Sequence, residues 1–227
     1  MRAALLLLAD GRFPSGGHAH SGGAEPAVGV GDITDIATLR EFVFGRLATS
    51  GLVDAAFAAA VCAQCRRDDD VAVAWTDFQA EYLARTGSPR LRAATCTLGR
   101  QLLRGGSRAF QSRRADEAVS ALGTSIPQPI VMGLVAAAAG CAPDEAALCE
   151  LHHLLGTLTT AGVRLLGLDP FEIAVFGAAL APELERLAAV AASTSHGDPS
   201  LLPADVALLN DVLAEHHSTW EVRLFAS

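Results

Sequence analysis

Apolar residues in this chain recur every three or four positions, the period of one helix face, and rarely alternate as they would along a strand. Met1 to Ala9 predicts a short helix. A polar, glycine-rich stretch follows from Asp10, and a second short helix is expected over Gly22 to Val28. Asp35 to Cys65 carries a wide apolar face through Leu39, Phe42, Val43, Phe44 and Leu47 and reads as one helix, or as two divided at Gly51. The polar turn Arg66 to Asp70 separates it from a helix over Val71 to Ala84, with Trp75, Phe78, Tyr82 and Leu83 on or near one face.

Breakers mark the next elements. Thr86 to Pro89 interrupts the pattern and puts a proline in the first turn of a helix over Leu91 to Leu103, which Gly105 and Gly106 end or bend. Ser107 to Ser125 has the weakest pattern in the chain. Pro127 and Pro129 precede an apolar helix, Ile130 to Ala139. Pro143, Asp144 and Glu145 open a long helix to about Leu166, since proline fits a first turn and acids complement the exposed amides there. Its stripe is Leu148, Leu151, Leu155, Leu158 and Leu165, and Gly167 and Pro170 stop it. Phe171 to Leu180, Pro182 to Ala192 and Ala204 to His217 complete about ten helices. No internal repeat or biased linker divides the chain. The expectation is one all-α bundle over 1–227, with a glycine-rich loop at 10–23 and a tail at 218–227.

Composition narrows the possible functions. Hydrophobic residues make up 51%, enough for a sizeable core and against disorder. The net charge of −8 speaks against general affinity for nucleic acid or an anionic membrane. All 17 cationic side chains are arginine. Without lysine there is no Schiff-base chemistry and no P-loop. Cys62, Cys65, Cys96, Cys141 and Cys149 are odd in number and build no disulfide framework, which fits a reducing compartment. The opening apolar run meets Asp10 and Arg12 too soon for a signal peptide, and the run around Pro129 to Ala142 falls short of the roughly 20 residues a membrane span needs. These features predict a soluble cytoplasmic protein.

Candidate chemistry is sparse. His18 and His20, at i and i+2 in "SGGHAHSGG", can reach one metal from an extended segment, but no acidic or cysteine cluster lies beside them to complete a site. The other reading is a polar loop whose glycines make tight turns. Cys62-x-x-Cys65 falls within a helix and has no second pair at zinc-finger spacing. His152-His153 and His216-His217 are adjacent, and neighbours on a helix point about 100° apart, poorly placed to chelate one ion. Arg90, Arg92, Arg100, Arg104, Arg108, Arg113 and Arg114 fall in a stretch without a single carboxylate, and Arg100 and Arg104 share a helix face. That patch reads either as a dock for an acidic partner or as a solvated face. No serine–histidine–acid or paired-carboxylate signature stands out.

The segment "LLLLADGRFPSGGHAHSGGAEPAV", Leu5 to Val28, resembles the opening of UreF-type urease accessory proteins, roughly L-x-x-x-D-S-x-x-P-x-G-x-x-x-H-S-x-G-x-E. Asp10, Pro14, Gly16, His20, Ser21, Gly23 and Glu25 fall on that pattern. "LGRQLL" (98–103), "QPIVMGLVAAAAG" (128–140), "TTAGVRLLGLDP" (159–170) and the closing "HHSTWEVRLFAS" (216–227) are similar to further family segments in the same order. Gly11, His18, Ala24 and the Leu168-Asp169-Pro170 turn depart from it.

The resemblance implies an all-α, non-catalytic, homodimeric protein without a cofactor. It would bind a UreD/UreH-type scaffold, recruit or regulate the UreG-type GTPase and serve nickel insertion into apo-urease. The arginine of the closing Arg-Leu-Phe, associated with GTPase recruitment, falls on Arg223, followed by Leu224 and Phe225. Together with His20, Ser21, Gly22 and Gly23 of the loop and Arg100 and Arg104 of the patch, these are the candidate partner-binding residues. Ser21 is also a candidate cap for the helix after the loop. The competing reading is a metal-dependent hydrolase or nickel carrier built on His18 and His20.

Overall fold

A computed structural model describes residues 2–67 and 73–225; Asp68 to Asp70 of the polar turn, the expected helix start at Val71 and the last two residues of the tail lie outside the described residues. Among the described residues there are eleven α-helical segments and no strands: α1 (Arg2–Ala9), α2 (Ala24–Val30), α3 (Ile36–Arg46), α4 (Leu52–Cys65), α5 (Trp75–Ala84), α6 (Pro89–Ala109), α7 (Arg113–Leu122), α8 (Gln128–Ala138), α9 (Pro143–Leu166), α10 (Pro170–Ser193) and α11 (Leu208–His217). The all-α reading holds.

The bundle is organised around α4. Val53 and every residue from Ala55 to Ala63 are buried, so beyond Asp54 in its first turn this helix is apolar on every side and is enclosed by α8, α9 and α10. Its alanines allow close approach. Gly133 of α8 lies directly over it, where a Cβ would come 2.5 Å from the Ala58 carbonyl and 2.7 Å from Val61. The buried residues of all these helices join one core cluster, from Ala4 to Phe225. The rod Ile36–Cys65 is long and apolar enough to cross a membrane, but 67% of its apolar window is buried inside the protein, as befits a core helix.

Two boundaries differ from the sequence pattern, and a third, open between one helix and two, is decided by the fold. Gly51 does not divide the first long helix. Instead α3 runs into α4 through a π-turn at Leu47–Gly51. Gly105 and Gly106 do not end α6, which continues to Ala109. These glycines are contact points: a Cβ on Gly106 would meet Val135 of α8 at 2.4 Å, and one on Gly105 would meet Pro14 at 2.9 Å. Pro182 does not split α10, which runs unbroken from Pro170 to Ser193. Phe176, Leu180, Leu184, Leu187, Ala188 and Ala191 form one buried stripe on both sides of the proline. Burying each large side chain contributes roughly 1.5–3 kcal/mol, together more than the ~3 kcal/mol cost of an interior proline.

The weakly patterned stretch after α6 contains α7, whose amide at Ala115 donates to the Ser112 hydroxyl. α11 is held against the start of α6: the Ser88 hydroxyl donates to Glu215, whose carboxylate also accepts the Arg90 amide at 3.0 Å.

Candidate partner-binding site

The two end segments of the described chain meet at Glu25. α2 starts at Gly23, whose φ of +96° turns the chain inward, and Ala24, Glu25, Pro26 and Ala27 are all buried. Glu25 is only 7% exposed. Its Oε1 accepts the Leu224 amide at 2.6 Å, and its Oε2 accepts the Phe225 amide at 3.0 Å. The same Oε2 lies 3.0 Å from Nε2 of His217, the last residue of α11. Burial, opposed by Glu25, holds His217 below the usual histidine range. The ring is therefore neutral at neutral pH and donates from Nε2.

Between His217 and Leu224 the tail folds back over α2. Trp220 packs edge-on against His216 and His217, and its indole N–H donates to His216 Nδ1 at 3.3 Å. The ring also covers Gly29, where a Cβ would come 2.2 Å from it. Arg164 of α9 adds the third side. Its guanidinium stacks 4.4 Å above the Phe225 ring and donates to the His18 carbonyl at 3.4 Å. Phe225 is buried, while Val222, Arg223 and Leu224 face solvent.

The structure thus brings loop and tail together, and the arginine patch borders the loop. Pro14 packs on Gly105, and the Gln101 side chain lies beside Gly16. Arg100 and Arg104, exposed on α6, flank those contacts. His20 is half-buried, Ser21 is fully buried, and Gly22 and Gly23 both have positive φ. Ser21 does not cap α2; the N-cap is Gly23. Arg113 and Arg114 pair with Glu117 and so leave the patch.

Glu25, Arg164, His217 and Trp220 join the loop and the tail at this candidate site and were not among the partner-binding residues the sequence singled out. Glu25 stood on the family pattern, but a lone acid in a first turn reads as a dipole complement, and only the fold shows what it faces.

The histidine alternative gains little. His18, His20, His152 and His153 line one cavity of about 150 Å³, yet among the described residues no group of three or more His, Cys, Asp or Glu converges to hold a metal ion. His153 Nε2 is engaged with the Leu8 carbonyl at 2.7 Å. Burial pushes the thiols of Cys62 and Cys65 up to about 12, and the Cys62 S–H points at the Cys141 carbonyl. Such thiols are poor nucleophiles and poor redox groups.

A second cavity of about 180 Å³ reaches from His20 and Gly23 inward to Arg46, Asp54, Tyr82, Glu150 and Asn210. Tyr82 donates to Asp54 and Gln128 donates to Glu150. Nε and Nη1 of Arg46 and Oδ1 of Asn210 are buried without a partner among the described residues. This chamber has mostly apolar walls with several polar groups set among them, and it is roomy enough for several waters.

A model of the UreF family matches residues 33–181. The urease accessory protein UreF of Mycolicibacterium vanbaalenii is 41% identical over 227 residues, covering 99% of this chain and 98% of its own length. The UreF of Mycobacterium sp. (strain JLS) is 40% identical over 224 residues, 98% of this chain and 97% of its own. That of Mycobacterium tuberculosis is 36% identical over 227 residues, 99% of this chain and 98% of its own. These relatives align across both the loop and the tail that Glu25 joins, as well as the helical body. The chain belongs to the UreF family of urease accessory proteins.

Proposed function

We propose that this chain does no chemistry of its own and works in the cytoplasm as an adaptor in urease maturation. It binds a UreD/UreH-type scaffold and recruits or regulates the UreG-type GTPase, so that nickel, the cargo, reaches apo-urease. The observation that supports this most is the clasp at Glu25, which folds the tail against α2 and leaves Arg223 exposed between Val222 and Leu224. A solvent-facing guanidinium between apolar side chains suits a carboxylate on a partner, a charge-assisted contact stronger than a neutral one. Arg100 and Arg104 offer further positive charge beside the loop. The reading includes a homodimer. Phe171 and Val175 of α10, 81% and 66% exposed, are large apolar side chains that a lone chain leaves in water.

The test is co-expression with the scaffold and the GTPase, followed by size-exclusion chromatography. The three are expected to co-elute. Arg223→Ala is expected to keep the scaffold and lose the GTPase. Retained GTPase in that variant removes Arg223 from the account, and failure of the wild type to hold either protein overturns the proposal.

A further inference from the structure

We propose that Glu25 is the positioning residue of the tail: by gripping the amides of Leu224 and Phe225 it turns Arg223 outward and makes the two end segments one recognition surface for a partner carboxylate framed by apolar groups. This deepens the reading of Arg223 given above and rests on it.

The grip is directional. Two successive backbone amides donate to the two oxygens of one carboxylate, at 2.6 and 3.0 Å. Both bonds are charge-assisted and shielded from water, since Glu25 is 7% exposed and Phe225 5%. With those amides fixed inward, Phe225 goes beneath Arg164, and Val222 and Leu224 are left 86% and 53% exposed on either side of Arg223. Arg223 forms no ion pair among the described residues, so its fork of donors is available to a partner. Among the described residues, Trp220 against Gly29 and Arg164 over Phe225 are further anchors of the tail.

The same contacts bind the loop into the unit. Glu25 is the first acid after Gly23, whose φ of +96° sets the direction of α2. Arg164 holds the His18 carbonyl and the Phe225 ring at once. Ordering of the loop therefore favours ordering of the tail, and a partner that seats one segment meets the other already arranged, which lowers the entropic cost of binding.

The experiment is residue-resolved amide hydrogen exchange on the full chain, paired with capture of the GTPase in the presence of the scaffold. The proteins compared are the wild type, Glu25→Ala, Glu25→Gln and Leu224→Pro, the last deleting one donor while leaving the carboxylate and the core intact. Protection at Leu224 and Phe225 is expected to fall about tenfold or more in Glu25→Ala, the equilibrium equivalent of losing one buried charge-assisted bond. It should fall less in Glu25→Gln, which keeps one acceptor oxygen. Amides of α4 serve as the folding control and should be unchanged.

GTPase capture is expected to weaken in Glu25→Ala and Leu224→Pro in step with tail protection, with scaffold binding retained. Unchanged protection in Glu25→Ala overturns the inference. So does full GTPase capture by both variants when Arg223→Ala has lost it. If Arg223→Ala still captures the GTPase, the role of Arg223 fails instead, and the exchange data alone judge the hold of Glu25 on the tail. Should Glu25→Ala fail to fold, Leu224→Pro carries the test through exchange at Phe225, the amide it leaves, and through GTPase capture.

Discussion

Tyr82 donates its phenolic O–H to Asp54 Oδ1 at 2.8 Å, and this bond lies in the wall of the same cavity that buries Glu150. Burial pushes the Asp54 carboxyl up to about 6 and that of Glu150 up to about 8, the second aided by repulsion from Asp54. Unfolded, both ionise in the ordinary carboxylate range. The folded state therefore holds protons that the unfolded state has released, and stability falls as pH rises from the ordinary range through about 8.

Glu150→Gln keeps an oxygen to accept from Gln128 and removes the titration. It is expected to be more stable than the wild type at pH 8, with the gap narrowing steadily toward pH 5. Urea denaturation at both pH values measures it. His153 and His217 are depressed by burial and act with the opposite sign, losing stability as pH falls below about 6.5. They are common to both proteins and cancel in the difference. Parallel pH profiles for the two proteins would sink this account.

Gly23→Ala should be strongly destabilising. Its φ is +96°, and an added Cβ would come 1.9 Å from Asn210 Oδ1. Strain and displacement of α11 together should cost roughly 2–4 kcal/mol in a thermal or urea melt. Gly11→Ala, in the same loop with nothing within 4 Å, should change stability by less than about 0.5 kcal/mol.

Two helical glycines should respond with opposite signs. Gly133→Ala would drive a methyl into the Ala58 carbonyl and Val61, and is expected to cost about 1–3 kcal/mol. Gly156 on α9 is exposed, and a Cβ there meets nothing within 4 Å. Gly156→Ala should raise stability by about 0.5–1 kcal/mol, because alanine gives up less backbone entropy in a helix. Melting temperatures of the two variants side by side decide it.

The thiols of Cys62 and Cys149, buried, and of Cys65, half-buried, all lie above their ordinary range. In the native protein at pH 8 they should react with an aromatic disulfide reagent only at the rate of local unfolding, and promptly in denaturant. Immediate labelling of Cys62 in the native state would contradict its packing against Cys141.

Most helices were legible because their apolar stripes are long and their first turns carry proline or acids, as in α9. The misread boundaries share one cause. Gly105, Gly106 and Pro182 are breakers by local propensity, yet each lies where tertiary packing decides the outcome: Pro14 of the loop meets Gly105, Val135 receives Gly106, and the stripe from Phe176 to Ala191 overrides Pro182. At the site, Arg223 and the loop were legible through the family pattern. The joint between them was not, because Glu25 and Leu224 are nearly the whole chain apart and no periodicity links them.

The π-turn at Leu47–Gly51 fixes how many residues this part of the chain can hold. Each helical residue advances the winding by about 100°, and the wide turn absorbs one residue beyond regular winding. Removing one residue there would let α3 run into α4 with regular winding and with their buried faces still aligned. A further inserted residue has no such slack and would swivel α3 by about 100°, turning Leu39 and Val43, both fully buried, out of the core and carrying Arg40 and Glu41 toward it. This segment can give up one residue; it cannot take another.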